Sequence, residues 1–186
     1  NVSLSIFKMN YNKFLDEFNS RGYFVIQNVF STQTVKKTIN ECEGFKSNQV
    51  DIYLDRNSKI RRIERLYNKT HNLKKINKKI QNILKKIFKT EFYIFKYKFN
   101  AKPPNGEGFY AHYDGVFYFY KKNKKKRGWY EYSNYFINCL IALDSCNQKN
   151  GTIELAKSDN NNFLNLIKNT KQDGTPKLKK NYEKKI

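Results

Sequence analysis

A histidine and an aspartate two residues apart are the side chains here best suited to chemistry: His112 and Asp114, within Phe109-Tyr110-Ala111-His112-Tyr113-Asp114-Gly115. In a strand, residues two apart project from one face, so the two can reach a common point. An imidazole nitrogen and a carboxylate oxygen are two members of the two-histidine, one-carboxylate triad that holds ferrous iron on one face of an octahedron. The three positions left open suit a bidentate 2-oxoacid and dioxygen side by side. Taken alone, the same pair also fits a hydrogen-bonded strand pair at a sheet edge, so its surroundings decide.

Strands must position that pair, and the chain reaches them only after a helical first half. Phe14, Leu15 and Phe18 fall at helical spacing in Tyr11 to Arg21, and Gly22 ends the segment. Tyr23 to Phe30 reads as a strand. Ser31 or Thr32 caps a second helix running through Cys42, and Gly44 to Lys59 reads as irregular. Leu73, Ile76, Ile80, Ile83, Leu84 and Ile87 form one apolar stripe with lysines opposite, which predicts a surface helix to Phe88. After Thr90 the period changes. Phe92 to Phe99 reads as a strand closed by Pro103-Pro104, and Asn105 to Gly108 as a loop. Phe109 to Asp114 and Val116 to Tyr120 look extended, and Lys121 to Arg127 reads as a basic, solvated loop. Tyr135 to Leu143 is the most apolar strand, and Asn147 to Gly151 is a turn before Thr152 to Ala156. Helices followed by strands predict an α+β fold, with an antiparallel β-core covered on one side by the N-terminal helices.

Composition bounds the rest. A chain of 186 residues is one domain by length, and 39% apolar residues, with 15 Phe and 14 Tyr, can fill a core. No run approaches the roughly 18 apolar residues that cross a bilayer, and Asn1 to Asn10 lacks the features of a signal peptide. The expectation is a cytoplasmic protein. Cys42, Cys139 and Cys146 are too few and too scattered for a disulfide framework or a zinc site, and read as reduced thiols, two of them buried. The formal charge of +21 invites a polyanionic partner. However, lysine is in excess together with Asn, Ile, Phe and Tyr, a joint bias that an A/T-rich coding sequence would produce and that phosphate affinity would not.

Several motifs in order resemble the phytanoyl-CoA dioxygenase family. Phe95 to Pro104, then Gly106-Glu107-Gly108-Phe109, then His112-Tyr113-Asp114 are similar to that family's strand, Lys-Pro-Pro-like turn, Gly-rich loop and His-x-Asp pair. Ile141-Ala142-Leu143-Asp144 and Asn150-Gly151-Thr152-Ile153-Glu154-Leu155 resemble its later strand and Asn-Gly turn. Arg61-Arg62-Ile63-Glu64-Arg65 resembles its Arg-Ile-Glu element, and Gly22 to Ile26 its N-terminal strand. The resemblance implies a double-stranded β-helix, or jelly roll, with N-terminal helices packed on one sheet. It implies His112 and Asp114 as Fe(II) ligands and 2-oxoglutarate as cosubstrate with dioxygen. The position of Lys98 matches one that contacts 2-oxoglutarate in family members, and Lys59 matches another. An ammonium group suits a dicarboxylate. Leu140 would be pocket wall. Arg61, Arg62 and Arg65 could meet an acidic substrate or pair with carboxylates such as Glu64 and Asp55.

The pattern also calls for a second iron histidine and an arginine that clamps the far carboxylate of 2-oxoglutarate, both on the closing strands. The only histidines are His71 and His112, and no arginine follows Arg127. His71, in Asn68-Lys69-Thr70-His71-Asn72, does not match the motif position and reads as a surface or helix-start residue. Phe163 to Pro176 resembles the polar excursion that precedes the closing strands. The expectation is therefore a single dioxygenase-like domain lacking its last strands, inactive as it stands. The alternative is a short protein that has lost iron chemistry. For the intact protein the resemblance implies hydroxylation of a small organic substrate with release of succinate and CO2. The rival reading is an inactive jelly roll that binds nucleic acid or another polyanion, its tyrosine-rich stretches Phe117 to Tyr120 and Trp129 to Tyr135 serving as stacking surface.

Overall fold

Each of the three helices among the described residues starts at a side chain able to replace a missing backbone acceptor. Asn10 Oδ1 accepts from Lys13 N (3.1 Å), Ser31 Oγ from Thr34 N (3.2 Å) and Thr70 Oγ1 from Leu73 N (3.1 Å). Such caps contribute about 1 kcal/mol each. They begin α1 (Tyr11–Arg21), α2 (Thr32–Glu43) and α3 (His71–Phe88). Gly22 closes α1 at φ 79°, a left-handed conformation that costs a glycine little. The computed structural model describes residues 9–103, 117–128, 136–147, 149–153, 155, 167–170 and 176–178. It forms two compact units, Asn1–Gly106 and Glu107–Ile186.

In the first unit, β1 (Asp51–Leu54), β2 (Ile60–Glu64) and β3 (Lys98–Asn100) form an antiparallel sheet in the order β1-β2-β3. Ile52, Ile63 and Phe99 lie side by side across it. They join a core of Cys42, Val50, Leu66 and Leu73, with Phe45, Ile60 and Tyr97 packed around the edge. One face of the sheet is thus closed by α2, α3 and the segments between them. A buried polar tie fixes the two helices: Asn72 Nδ2 donates to Thr38 Oγ1 (2.9 Å), which donates to the Thr34 carbonyl (2.7 Å). Thr70 Oγ1 donates to Glu41 Oε2 at 2.6 Å.

A second apolar centre joins α1 to α3. Phe14, Phe18, Phe24, Phe88 and Phe92 pack ring against ring, with centroids 5.1–6.3 Å apart in tilted and edge-on contacts. This cluster explains why Tyr23 to Phe30 is not the predicted strand. Phe24 packs on the rings of Phe14, Phe18 and Phe88, Val25 stays 68% exposed, and the segment joins no ladder among the described residues. Two further expectations on this unit change. β1 lies inside Gly44 to Lys59, which reads as irregular in sequence, and only the last residues of Phe92 to Phe99 enter the sheet.

In the second unit, β4 (Phe117–Lys121) pairs with β5 (Lys124–Gly128), and β6 (Ile167–Thr170) with β7 (Pro176–Leu178), both antiparallel. The stretch Lys121 to Arg127, predicted to be a loop, therefore supplies a strand. Lys122 and Asn123 connect β4 to β5 with φ 50° and 59°, the two positive values that a tight I′ hairpin requires. Residues 136–143 are irregular rather than the predicted apolar strand. The Asn147 to Gly151 turn is present: Asn150 N and Thr152 N both donate to the Asn147 carbonyl, at 3.1 and 3.2 Å. Helices with antiparallel strands agree with α+β. Among the described residues no helix is long and apolar enough to cross a membrane.

One cysteine is buried rather than two: Cys42 lies in the core, whereas Cys139 and Cys146 are exposed. Burial first, and then the Glu41 and Glu43 carboxylates, push the Cys42 thiol up from 9.0 to about 11. The raised folded value means that stability present below about pH 9 is lost as pH climbs towards 11. Desolvation also pushes the Cys139 thiol up from 9.0, so at pH 8 a thiol reagent is expected to label Cys146 fastest, Cys139 more slowly and Cys42 only on unfolding. Equal labelling rates for all three would contradict this placement.

Candidate functional site

The outer face of the three-stranded sheet carries three of the charged residues that sequence reasoning singles out, Arg62, Glu64 and Lys98. Strand alternation turns Ile63 into the core and leaves its neighbours Arg62 and Glu64 on the opposite face. Antiparallel register sets Lys98 of β3 directly across from Glu64, and Asn100 across from Arg62. Arg62 Nε lies 3.1 Å from Glu64 Oε1, and Lys98 Nζ lies 3.6 Å from the same oxygen. The Arg62 guanidinium also covers the Tyr53 ring at 4.3 Å. All three charged side chains are about a third exposed or less.

Two cations therefore share one carboxylate, which leaves the strip net positive. At 3.6 Å the Lys98 ammonium is paired by charge but lies beyond ordinary hydrogen-bond distance, so its donors can still meet a second carboxylate. That is the chemistry expected of a group that binds one end of a dicarboxylate. Lys59 is placed differently. Its backbone closes the β1–β2 hairpin, donating to Asp55 Oδ1 (2.9 Å) and accepting from Asp55 N (2.8 Å), and its side chain is exposed. Five residues of strand separate it from Glu64, about 16 Å along β2 at the usual rise. The structure thus sets Lys59 and Lys98 at opposite ends of the sheet rather than together.

The remaining expectations divide. Arg62 pairs with Glu64 as anticipated, but Arg65 Nε pairs with Asp51 Oδ2 (2.7 Å) rather than with Asp55. Asp55 instead organises its own turn, accepting from Asn57 N at 2.8 Å. Leu140, expected as pocket wall, is 67% exposed in an irregular segment. His71 is the first residue of α3 and exposed, as its sequence position suggests. His112 and Asp114 lie outside the described residues. Among the described residues, no three His, Cys, Asp or Glu side chains gather to hold a metal. One imidazole and one carboxylate two residues apart match, in kind, two of the three donors of a two-histidine, one-carboxylate set for ferrous iron.

Sequence reasoning did not foresee the contact of Glu64 with Lys98. The two residues are 34 positions apart, and only the register of β2 on β3 brings them together. The signal that could have found them is opposite charge at matched positions of the two strands.

No curated protein and no solved structure matches the chain. A sequence model of the family described as phytanoyl-CoA dioxygenase matches residues 18–176, a span that takes in the sheet, its charged strip and the His-x-Asp pair. The chain therefore belongs to the phytanoyl-CoA dioxygenase family, whose members are Fe(II)- and 2-oxoglutarate-dependent oxygenases.

Proposed function

We propose that the protein, when its set of iron ligands is complete, hydroxylates a small organic substrate while converting 2-oxoglutarate to succinate and CO2 on a jelly roll. The family match across residues 18–176 carries the proposal. In this reading His112 and Asp114 hold Fe(II). When bound, the metal supplies the redox chemistry that couples decarboxylation of the 2-oxoacid to oxidation of the substrate.

The chain's own residues have simpler tasks. His112 would offer the ion a neutral ring nitrogen and Asp114 a carboxylate oxygen. Lys98 attracts a carboxylate of 2-oxoglutarate, and Glu64, within 3.6 Å, competes with it and holds the ammonium in place beforehand. Lys59, at the far end of β2, is a secondary candidate for the cosubstrate.

Lys98 gives the sharper test. A hydrogen bond to a charged partner is worth about 1.5–3 kcal/mol, so Lys98→Ala is expected to weaken 2-oxoglutarate binding by roughly 10- to 100-fold. Glu64→Gln removes the competing charge and is expected to strengthen it, while Lys59→Ala changes it less than Lys98→Ala. The measurement is titration of 2-oxoglutarate into Fe(II)-loaded protein without oxygen, followed by succinate formation in air with ascorbate. Unaltered affinity in Lys98→Ala removes that residue from the site, and absence of succinate from protein carrying a complete triad sinks the enzyme reading.

A further inference from the structure

The chain's positive charge is not spread evenly over its helices. In α1, Lys13 and Arg21 are balanced by Asp16 and Glu17, and in α2, Lys36 and Lys37 by Glu41 and Glu43. α3 is different. It carries Lys74, Lys75, Lys78, Lys79, Lys85 and Lys86, is capped by Lys89, and has no acidic residue in its 18 positions. At 100° per residue these lysines fall within an arc of about 140°. The opposite side holds the buried Leu73, Ile76, Ile83 and Ile87. Each of the seven lysines is exposed.

A lysine bias in composition alone accounts for lysines at exposed positions. It does not account for the complete exclusion of acidic residues from one helix when the other two are neutralised. Lys74 and Lys78, Lys75 and Lys79, and Lys85 and Lys89 are like charges four apart that repel one another, while Lys85 and Lys86 in the last turn suit the helix dipole. Among the described residues Glu91 pairs with Lys85.

A shallow groove of about 390 Å³ lies on this face, its lining including Tyr11, Lys75, Lys78, Lys79, Asn82 and Lys86. Two of its lysines are held in place. Lys79 donates to the Val29 carbonyl, and the Lys86 ammonium lies 5.5 Å from the centre of the Tyr11 ring. From Lys74 to Lys89 the row of cations extends about 22 Å along the helix axis.

We propose that this face of α3 binds the phosphodiester backbone of a nucleic acid, without reading sequence. A row of exposed ammonium groups over about 22 Å faces some six or seven phosphates of one strand at the 3.4 Å spacing of a duplex. Tyr11 and Asn82 add a ring edge and an amide able to meet a sugar or base. Two other polyanions fit less well. An acidic protein partner would meet a surface of lysines, which are depleted from protein interfaces, with Ile83 in the groove only 6% exposed. A membrane surface would need an apolar face free to insert, and the apolar face of α3 is inside the core. The proposal does not depend on iron or on 2-oxoglutarate.

The test is fluorescence anisotropy of labelled 20-nucleotide DNA and RNA, single- and double-stranded, with the full chain at stepped salt concentrations. The triple variant Lys75→Gln, Lys78→Gln, Lys86→Gln keeps helix-forming side chains and spares Lys79, which is bonded to Val29. The control variant Lys36→Gln, Lys37→Gln, Lys46→Gln removes the same charge from exposed sites elsewhere in the first unit. Losing three phosphate contacts is expected to reduce the slope of log affinity against log salt by about 2–3, and to weaken binding at least tenfold near 0.1 M salt. The control is expected to stay within about twofold of the parent. Equal weakening in both variants would mean that net charge alone drives binding, and would overturn the assignment of a site. So would absence of binding near physiological salt, or tighter binding to a poly-glutamate peptide or to phosphatidylserine vesicles than to either nucleic acid.

Discussion

Ile63→Ala is expected to destabilise the first unit by about 3–4 kcal/mol, within the 2–5 kcal/mol typical of isoleucine truncated in a core. Ile63 is fully buried on the middle strand, with Ile52 on one side and Phe99 on the other. It also packs in one cluster with Cys42 of α2, Val50, Leu66 and Leu73 of α3. Elements on both sides of the sheet edge and above its inner face would all border the cavity, so no single segment can move to fill it. Against a total stability of about 5–15 kcal/mol, such a loss leaves a large unfolded fraction. Urea unfolding followed by circular dichroism should show the midpoint falling with little change in slope. Ile60→Ala, at the half-buried edge of the same cluster, should cost distinctly less. Equal losses at the two positions, or a loss below about 1 kcal/mol at Ile63, would mean that β2 does not hold the centre of this core.

The helices were legible in the sequence because each carries both a cap and a stripe. Ser31 before α2, Gly22 after α1 and the six apolar positions of α3 are local signals, and the observed boundaries fall within a few residues of those expected. The strands were less legible because an apolar run records burial and not the kind of neighbour that provides it. Tyr23 to Phe30 has strand composition, yet Phe24 spends it on the rings of Phe14, Phe18 and Phe88. The β4–β5 hairpin hid for the opposite reason. Lys122-Asn123 adopts the positive φ values of an Asn-Gly turn without containing glycine, and β5 is written in lysines.

The candidate site was legible as residue types and not as contacts. The family resemblance marked Arg62 and Glu64 through the Arg-Ile-Glu element and Lys98 through its matching position, but the pairing of Glu64 with Lys98 needs a register that joins segments 34 residues apart. The same register separates Lys98 from Lys59, which sequence position alone could not do. The His-x-Asp pair lies outside the described residues, so its assignment still rests on donor chemistry and on the family match.

That assignment makes the other large prediction. His112→Ala is expected to lower Fe(II) affinity by more than the roughly 10- to 100-fold that loss of a mere outer-shell partner costs, because it removes a ligand. Asp114→Ala should act similarly, since each supplies one donor of a set that must share a single ion. His71→Ala, at the exposed start of α3, should leave affinity unchanged. The three variants separate a metal site from a hydrogen-bonded strand pair, for which all of them would bind iron as poorly as the parent. Anaerobic Fe(II) titration of the native protein, with its intact mass recorded, reads binding directly and does not depend on turnover or on knowing the substrate. Adding 2-oxoglutarate sharpens the comparison. A cosubstrate that chelates the bound metal should tighten Fe(II) in the parent and in His71→Ala, but not in His112→Ala. Nucleic-acid retention by α3, in turn, should survive His112→Ala, because its lysines do not draw on the iron ligands. If His112→Ala and Asp114→Ala both leave iron affinity and its response to 2-oxoglutarate intact, the His-x-Asp pair is structural and the oxygenase chemistry has no place on these residues.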